Sequence, residues 1–543
     1  MTDPRQATVP AWQAWLVPIV LGCLHALTFA PYPLPLWALP FVQIFVLAAW
    51  LVRLTHVQTR RHALREGFLF GLGNFTLGLY WLFISMHVYG GLAWPLAAAG
   101  VFVLAAFLAL FPLLAALLAY YAGTRPINQP LRWWHQVLLA AGWASAWTLT
   151  EWLRGTLLTG FPWLNAGYAH AEGVLAPWAP LVGAYGLAWL ASYAAAAIAL
   201  LTRHKDTSQA GGAAVAVALA IMSGLGGIVL SHQEWTQPTG DPMIARLIQG
   251  AVPQSIKFDP DHMMQGVQRY QELASLEPKT PESRPDLIVL PETVIPVFQD
   301  LLSSEAWQEW IDIARHHDAP ILMGAPLRDP EAQRYTNSAI VISPDTSSDA
   351  LRSAQIEQRY DKHHLVPFGE FVPPGFRWFV DALNIPLGDF SRGQVRQPAF
   401  QIQNQRVAPD ICYEDVFGEE ILQQVRDSDA HGPGASILIN ISNLAWFGDT
   451  WALRQHLQIA RIRALETSRP MLRATNTGMT AAIDADGTVR AMLDPAEPGV
   501  LDVEVQGQQG LTPYAQWGNP PVLAWSVLWW LWAASFVFRR RKH

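Results

Sequence analysis

The sequence predicts a two-part fold: a polytopic α-helical membrane domain with eight transmembrane helices, and an α/β domain inserted before the last of them. Three observations carry that prediction. Of 543 residues, 51% are hydrophobic and 15% charged, with a mean hydropathy of +0.17, where a soluble chain carries roughly 25% charged residues. Eight apolar stretches are each near or above the ~20 residues a helix needs to cross the hydrocarbon core. Between the seventh and the eighth, short β-type runs alternate with amphipathic stretches, as strands linked by helical crossovers do. With 25 Trp, 39 Gly and 40 Pro, the chain is neither disordered nor fibrous.

The spans come first. They cover about 12 to 30, 34 to 52, 67 to 87, 92 to 121, 136 to 153, 175 to 202 and 212 to 231, with the eighth at about 520 to 538. Basic residues alternate across them. Arg53, Arg60, Arg61 and Arg65 follow span 2, Arg125 and Arg132 follow span 4, Arg203 and Lys205 follow span 6, and Arg539, Arg540, Arg541 and Lys542 follow span 8. The intervening loops hold no Lys or Arg except Arg154 near a span end. Because Lys and Arg mark cytoplasmic loops, both termini are expected in the cytoplasm and the large domain on the other side, the periplasm in a bacterium. Cys23 follows Val20-Leu21-Gly22, but one Arg precedes it and apolar sequence continues past it, so it reads as a small residue in a helix and not as a signal cleavage site.

The expected division is a membrane domain at 1–240, a soluble domain at 241–513 and a final span with its basic tail at 514–543. Charge divides the same way. The net of −7 separates into +8 on the apolar ends and −15 in the middle, and an acidic domain without a basic stripe argues against nucleic acid as a partner. Strands are expected at 244–251, 286–290, 320–324, 338–343, 407–412, 436–441, 471–476 and 480–484, and helices at 262–276, 305–317, 415–426 and 451–468. No Gly-rich phosphate loop or HExxH pattern occurs, so neither nucleotide nor metal has support, and no cofactor is expected.

Three islands place reactive residues just past apolar strands, where α/β domains build their sites. DLIVLPETVIP puts Glu292 there. RYDKHHLVPFGEFVP carries Lys362 and Glu370 on a Pro- and Gly-punctuated loop; adjacent His363 and His364 point different ways and lack a third ligand at metal spacing. VAPDICYEDVFGEEI ends a strand at Cys412, where the backbone N–H groups of a strand-to-helix turn can stabilise a thiolate and an oxyanion. Singly, these are a loop Glu, an ion pair and a structural Cys. Cys412 has no disulfide partner but Cys23, which lies in span 1, and an unpaired thiol in an oxidising compartment asks for a functional reason. Together a carboxylate, an ammonium and a thiol can carry acyl transfer by nucleophilic catalysis.

Glu292, Lys362 and Cys412 resemble the Glu-Lys-Cys triad of the nitrilase superfamily, in its membrane-embedded apolipoprotein N-acyltransferase branch. TEWLRG at 150–155, TGFPWL at 159–164, QGAVPQSIKF at 249–258, ISNLAWFG at 441–448, RALETSRP at 463–470, ATNTG at 474–478 and GLTPYAQWGN at 510–519 extend the resemblance over nearly the whole chain. It implies a nitrilase-like αββα sandwich on the periplasmic face of a bacterial inner membrane. It implies transfer of an acyl chain from a membrane phospholipid, typically phosphatidylethanolamine, through a Cys thioester to the α-amine of the diacylglyceryl-cysteine of an apolipoprotein. By motif, Cys412 is the nucleophile, Glu292 the base and Lys362 the oxyanion partner, with Glu370, Tyr413 and Glu414 in support. Two positions depart from the pattern: Phe258 stands where relatives often have Trp, and Leu444 where they often have Asp.

Phe258 keeps an aromatic wall for an acyl chain. The stretch from Phe371 to Phe390, including Phe376 and Trp378, is either a lipid-seeking arm or a core helix of the sandwich. In span 5, Arg154 either pairs with Glu151 or binds a lipid phosphate. The rival functions are a membrane-tethered amidase or nitrilase-type hydrolase, which would pass the acyl group to water, and a transporter, disfavoured because the spans carry no set of buried ionisable residues marking a path.

Overall fold

The computed structural model describes residues 11–30, 34–124, 133–202, 207–329, 333–375, 377 and 389–541. Contacts divide the chain into two units: Met1–Tyr80, Pro95–Gln233 and Asn519–His543 in the first, and Trp81–Trp94 with Glu234–Gly518 in the second. The short segment Trp81–Trp94, which lies among the apolar stretches in the sequence, thus packs with the sheet-containing unit.

The first unit is helical. Ala11–Ala26, Leu39–Thr55, Arg60–Gly78, Trp133–Thr156, Ala179–Leu201, Thr207–Leu230 and Pro520–Arg541 are helices, and a further one runs as Trp94–Leu108 and Leu110–Ala119. Among the described residues, five are long and apolar enough to cross a membrane, and six if Arg60–Gly78 with Leu82–Tyr89 counts as one span bent by 60°. The stretch expected as one span over 67–87 is therefore broken after Gly78. Trp81, just past the break, stacks edge-on against Phe447 at 4.6 Å and donates from Nε1 to Gln455 Oε1 at 3.1 Å, a tertiary contact invisible to hydropathy. Inside the unit, Trp50, Phe70 and Trp147 form an aromatic cluster with Trp50 and Phe70 stacked at 4.6 Å. Gly67 and Gly71 lie one turn apart against Leu110–Ala119, where an added Cβ at Gly67 would sit 2.4 Å from the Pro112 carbonyl oxygen. Small residues at such spacing let helix backbones approach in an apolar solvent.

The second unit is a four-layer αββα sandwich. One six-stranded sheet has the spatial order Gly499–Val505, Met243–Gln249, Leu287–Val289, Ile321–Asp329, Arg334–Ile342, Arg359–Asp361; the other runs Val489–Met492, Ala481–Ile483, Met471–Thr475, Ile437–Ser442, Gln405–Ile411, Phe400–Ile402. The central strands of each are parallel. Period-two alternation sorts their side chains between layers. Met243, Ala245, Leu247, Leu287 and Val289 meet Ile437, Ile439, Ile441 and Val407 between the sheets. On the outer faces, Ile288 and Ile321 pack under Met263–Ala274 and Ser304–His317 through Tyr270, Trp307 and Trp310, while Leu438 and Met471 pack under Gly418–Val425 and Trp451–Thr467. Strands buried on both faces need continuous apolar runs, which is why they were legible. The helix expected over 415–426 begins instead with a tight 3-10 turn, Cys412–Val416.

Candidate active site

The three islands end strands of both sheets. Lys362 directly follows Arg359–Asp361, and Glu292 lies three residues past Leu287–Val289, in the same sheet. Cys412 directly follows Gln405–Ile411 of the other sheet. The Glu292 turn sits so close to Ile321–Asp329 that a Cβ on Gly324 would be 2.6 Å from Glu292 Cα; only glycine allows this approach.

Lys362 Nζ donates to Glu370 Oε1 at 2.9 Å and to Glu292 Oε1 at 3.3 Å. Asn337 Nδ2 donates to the same two oxygens, at 2.7 Å each. The second oxygen of Glu292 accepts the Asn443 backbone N–H at 3.0 Å, and that of Glu370 accepts the Val366 N–H at 2.8 Å. Lys362 is only 1% exposed, so the cation is held by two carboxylates in a low-dielectric site where such contacts are strong.

These contacts set the protonation states. Burial opposes the charged form of Glu292, but Lys362, the Asn337 and Asn443 hydrogen bonds and Lys257 together hold its carboxyl below the usual range. Burial opposes the Lys362 ammonium too, and Glu292 and Glu370 reverse that, raising its pKa. Burial, with the negative charge of Glu292, pushes the Cys412 thiol well above its usual value against the pull of Lys362. The resting pair is therefore carboxylate and thiol, not the thiolate that a strand-to-helix turn alone suggests. Cys412 itself is half-buried and adopts φ 57°, the left-handed region.

Glu414 joins the two sheets. Its Oε1 accepts the backbone N–H of His363 at 2.7 Å and of His364 at 3.0 Å and the Tyr360 hydroxyl at 3.0 Å, while Oε2 accepts the Ile411 N–H at 2.7 Å. The loop bearing Lys362 is thus tied to the turn bearing Cys412; burial raises this carboxyl to about 7. Tyr413 packs edge-on against Phe417 at 5.1 Å and His364 at 5.8 Å. His363 and His364 are engaged separately, with the Gly393 carbonyl and Glu420.

The remaining expected site residues are spread more widely. Phe258 caps the short helix Gln254–Lys257, half-buried, its ring 6.2 Å from that of Trp446. Leu444 is buried in the core beneath Trp451–Thr467. Phe376 and Trp378 lie outside the described residues. Arg154 is in the helical unit, where its guanidinium donates to the carbonyls of Phe161 at 2.5 Å and Trp163 at 2.6 Å and lies 3.6 Å from Glu151, so the pairing reading accounts for its geometry.

Sequence reasoning missed Asn337, Asn443 and Lys257. Lys257 is buried, donates from Nζ to the Glu292 carbonyl at 3.2 Å, and is lowered by burial to about 7. An Asn inside the apolar run TNSAIVI and a Lys inside the quoted QSIKF were the available signals.

Two family patterns match the sequence in succession: "Apolipoprotein N-acyltransferase N-terminal domain" over residues 21–232 and "Carbon-nitrogen hydrolase" over residues 245–514. A protein of Bordetella bronchiseptica named apolipoprotein N-acyltransferase is 52% identical over 521 residues, covering 95% of each chain. Proteins of the same name are 44% identical in Ralstonia nicotianae, over 96% of this chain and 93% of that one, and 40% identical in Nitrosomonas europaea, over 93% of each.

Proposed function

The chain belongs to the apolipoprotein N-acyltransferase family, and we propose that it N-acylates apolipoproteins through a covalent intermediate on Cys412. It is a membrane protein whose donor is a phospholipid, for which we take phosphatidylethanolamine, and whose acceptor is the N-terminal amine of a diacylglyceryl-cysteine. The basic loops support an inner-membrane location with both termini cytoplasmic and the sandwich in the periplasm.

The observation that carries the mechanism is the buried Lys362 ammonium shared by Glu292 and Glu370, in a field that also reaches the Cys412 thiol. Glu292, ionised, takes the thiol proton as Sγ attacks the ester carbonyl carbon. Lys362 balances the negative charge developing on the carbonyl oxygen. The C–O bond then breaks, the leaving glycerol oxygen receives the proton from Glu292, and a thioester and a lysophospholipid result. In the second half, the acceptor amine attacks the thioester carbon, Glu292 takes a proton from nitrogen, and the C–S bond breaks. The sulfur is then reprotonated from Glu292. Glu370 and Asn337 orient Lys362 and Glu292 in both halves, and the half-buried ring of Phe258 supplies an apolar wall for the chain.

Intact-protein mass spectrometry tests this reading. Enzyme mixed with phospholipid should gain one acyl mass, located at residue 412, absent in Cys412→Ala and discharged by a diacylated lipopeptide. An adduct that water discharges equally fast, with release of free fatty acid, would establish the hydrolase instead; no adduct at all would refute the covalent route.

A further inference from the structure

Behind the nucleophile, on the side of its sheet covered by the helix Trp451–Thr467, lies a polar cluster that the transfer mechanism does not use. Asp410, Asp415, Asn440, His456 and Arg473 are each 2% exposed or less. Polar groups buried this deeply persist only when bonded to one another, and these bonds converge on one atom, the backbone carbonyl oxygen of Cys412. It accepts from Asn440 Nδ2 at 3.1 Å and from His456 Nε2 at 3.1 Å.

The donor state of His456 follows from its neighbours. Arg473 Nη2 lies 3.0 Å from His456 Nδ1, and a guanidinium only donates, so Nδ1 accepts. The ring proton therefore sits on Nε2, directed to Asp415 Oδ1 at 2.7 Å and to the Cys412 carbonyl. Asp415 is held in turn by Arg473 Nη1 at 2.9 Å. Burial lowers the His456 pKa, so the ring is a neutral donor with a fixed tautomer, not a proton carrier. On the other side, Asn440 Nδ2 also donates to Asp410 at 2.5 Å, and its Oδ1 accepts from Ser442 at 2.5 Å.

Cys412 is not a glycine, yet it stands at φ 57°, a left-handed conformation that L side chains adopt only when their surroundings hold them there. The peptide plane carrying its carbonyl sets the direction of the thiol relative to Glu292 and Lys362. We propose that His456 and Asn440, oriented by Asp415, Arg473 and Asp410, are positioning residues that clamp the Cys412 carbonyl and so aim the thiol into the field of the Glu292–Lys362 pair. This clamp rests on Cys412 being the nucleophile, but its geometry can be read without any acyl donor.

The experiment compares full-length His456→Phe, which keeps a ring but no donor, with His456→Gln, whose amide nitrogen can reach the Nε2 position. Carbamidomethylation of residue 412 by iodoacetamide is followed against pH by peptide mass spectrometry, with circular dichroism and melting temperature reporting the fold. His456→Phe should let the thiol turn out of the buried position where desolvation and the Glu292 charge outweigh Lys362, lowering its apparent pKa by roughly one unit or more, while His456→Gln keeps the parent profile. Acyl-enzyme formation should slow by roughly tenfold to a hundredfold in the Phe variant at unchanged KM for phospholipid. Asn440→Leu removes the other donor and serves as a second folded probe, with the same expected shift. Parent-like thiol titration in both folded donor-less variants, or equal damage by Gln and Phe at 456, overturns the clamp. Failure of the parent to acylate with the thiol shift intact would instead overturn the transfer reading alone.

Discussion

Replacing Glu292 by Gln should move two properties of Cys412 in opposite directions. Gln keeps the shape and an acceptor for Asn337, and loses the charge and the acceptor for the Asn443 N–H, a defect of about 1–3 kcal/mol. Lys362 retains its 2.9 Å bond to Glu370, so the cation is not stranded. In the parent, the Glu292 charge is one of the forces raising the thiol pKa. At an effective dielectric of about 20, a unit charge about 4–8 Å away contributes roughly 2–4 kcal/mol, or roughly 1.5–3 pK units at about 1.4 kcal/mol each. Its removal should lower the thiol pKa by that much. The thiolate fraction near neutral pH then rises, and although a less basic thiolate is a weaker nucleophile, alkylation by iodoacetamide should still quicken by roughly tenfold. Transfer from phospholipid, for which we propose the carboxylate as proton acceptor, should fall by roughly 10²–10⁴. Both rates are measured at residue 412 on the same enzyme in mixed micelles, with Cys412→Ala as blank. If alkylation and transfer fall together, Glu292 serves to hold the thiol in place or in its ionised form, and the base assignment fails.

Other expectations follow from single contacts. Asn337→Ala removes the hydrogen bond that helps hold the Glu292 carboxyl low, so the acidic limb of kcat/KM, where Glu292 takes up its proton, should shift to higher pH with kcat reduced; an unmoved limb would count against Glu292 as its origin. Gly324→Ala places a Cβ 2.6 Å from Glu292 Cα and should cost about 1–3 kcal/mol of stability and most of the activity, read by thermal unfolding and transfer assay; parent-like values would contradict the close approach. Arg154→Met takes the counter-charge from buried Glu151 and a donor from the Phe161 and Trp163 carbonyls and should cost about 3–5 kcal/mol, lowering the melting temperature in detergent at unchanged KM for phospholipid. A raised KM with parent melting would favour phosphate binding by Arg154.

The legibility of this molecule was uneven for physical reasons. The central strands could be read because both faces of each are buried, which forces runs such as Leu287–Val289 and Ile437–Ser442 to be apolar throughout. The edge and short strands, Phe400–Ile402 and Val489–Met492 among them, escaped notice: with one face turned outward they carry no unbroken apolar run, and three or four residues are too few to count a period. Hydropathy found the apolar stretches but could not see that the third breaks after Gly78, where Trp81 docks on Phe447 and Gln455, more than 360 residues away in sequence.

Glu292, Lys362 and Cys412 were legible because each follows a strand in a recurring motif, and Glu370 and Glu414 because they stand beside them. Their protonation states were not. A sequence gives residue types, whereas a pKa depends on burial and on charges brought close from elsewhere in the chain; hence the Cys412 thiol is held up, not down, and Lys257 near neutrality was unforeseen. By itself the sequence determined the apolar helical part, the layered α/β domain and the chemical identity of the reactive groups, because these depend on local composition and period. Only the tertiary structure decided that Asn337 bridges two carboxylates, that Glu414 ties one sheet to the other, and that His456 and Asn440 both reach the Cys412 carbonyl. Those pairings join residues 28 to 54 positions apart, and they exist only once two sheets pack and exclude the water that would otherwise satisfy every one of those groups.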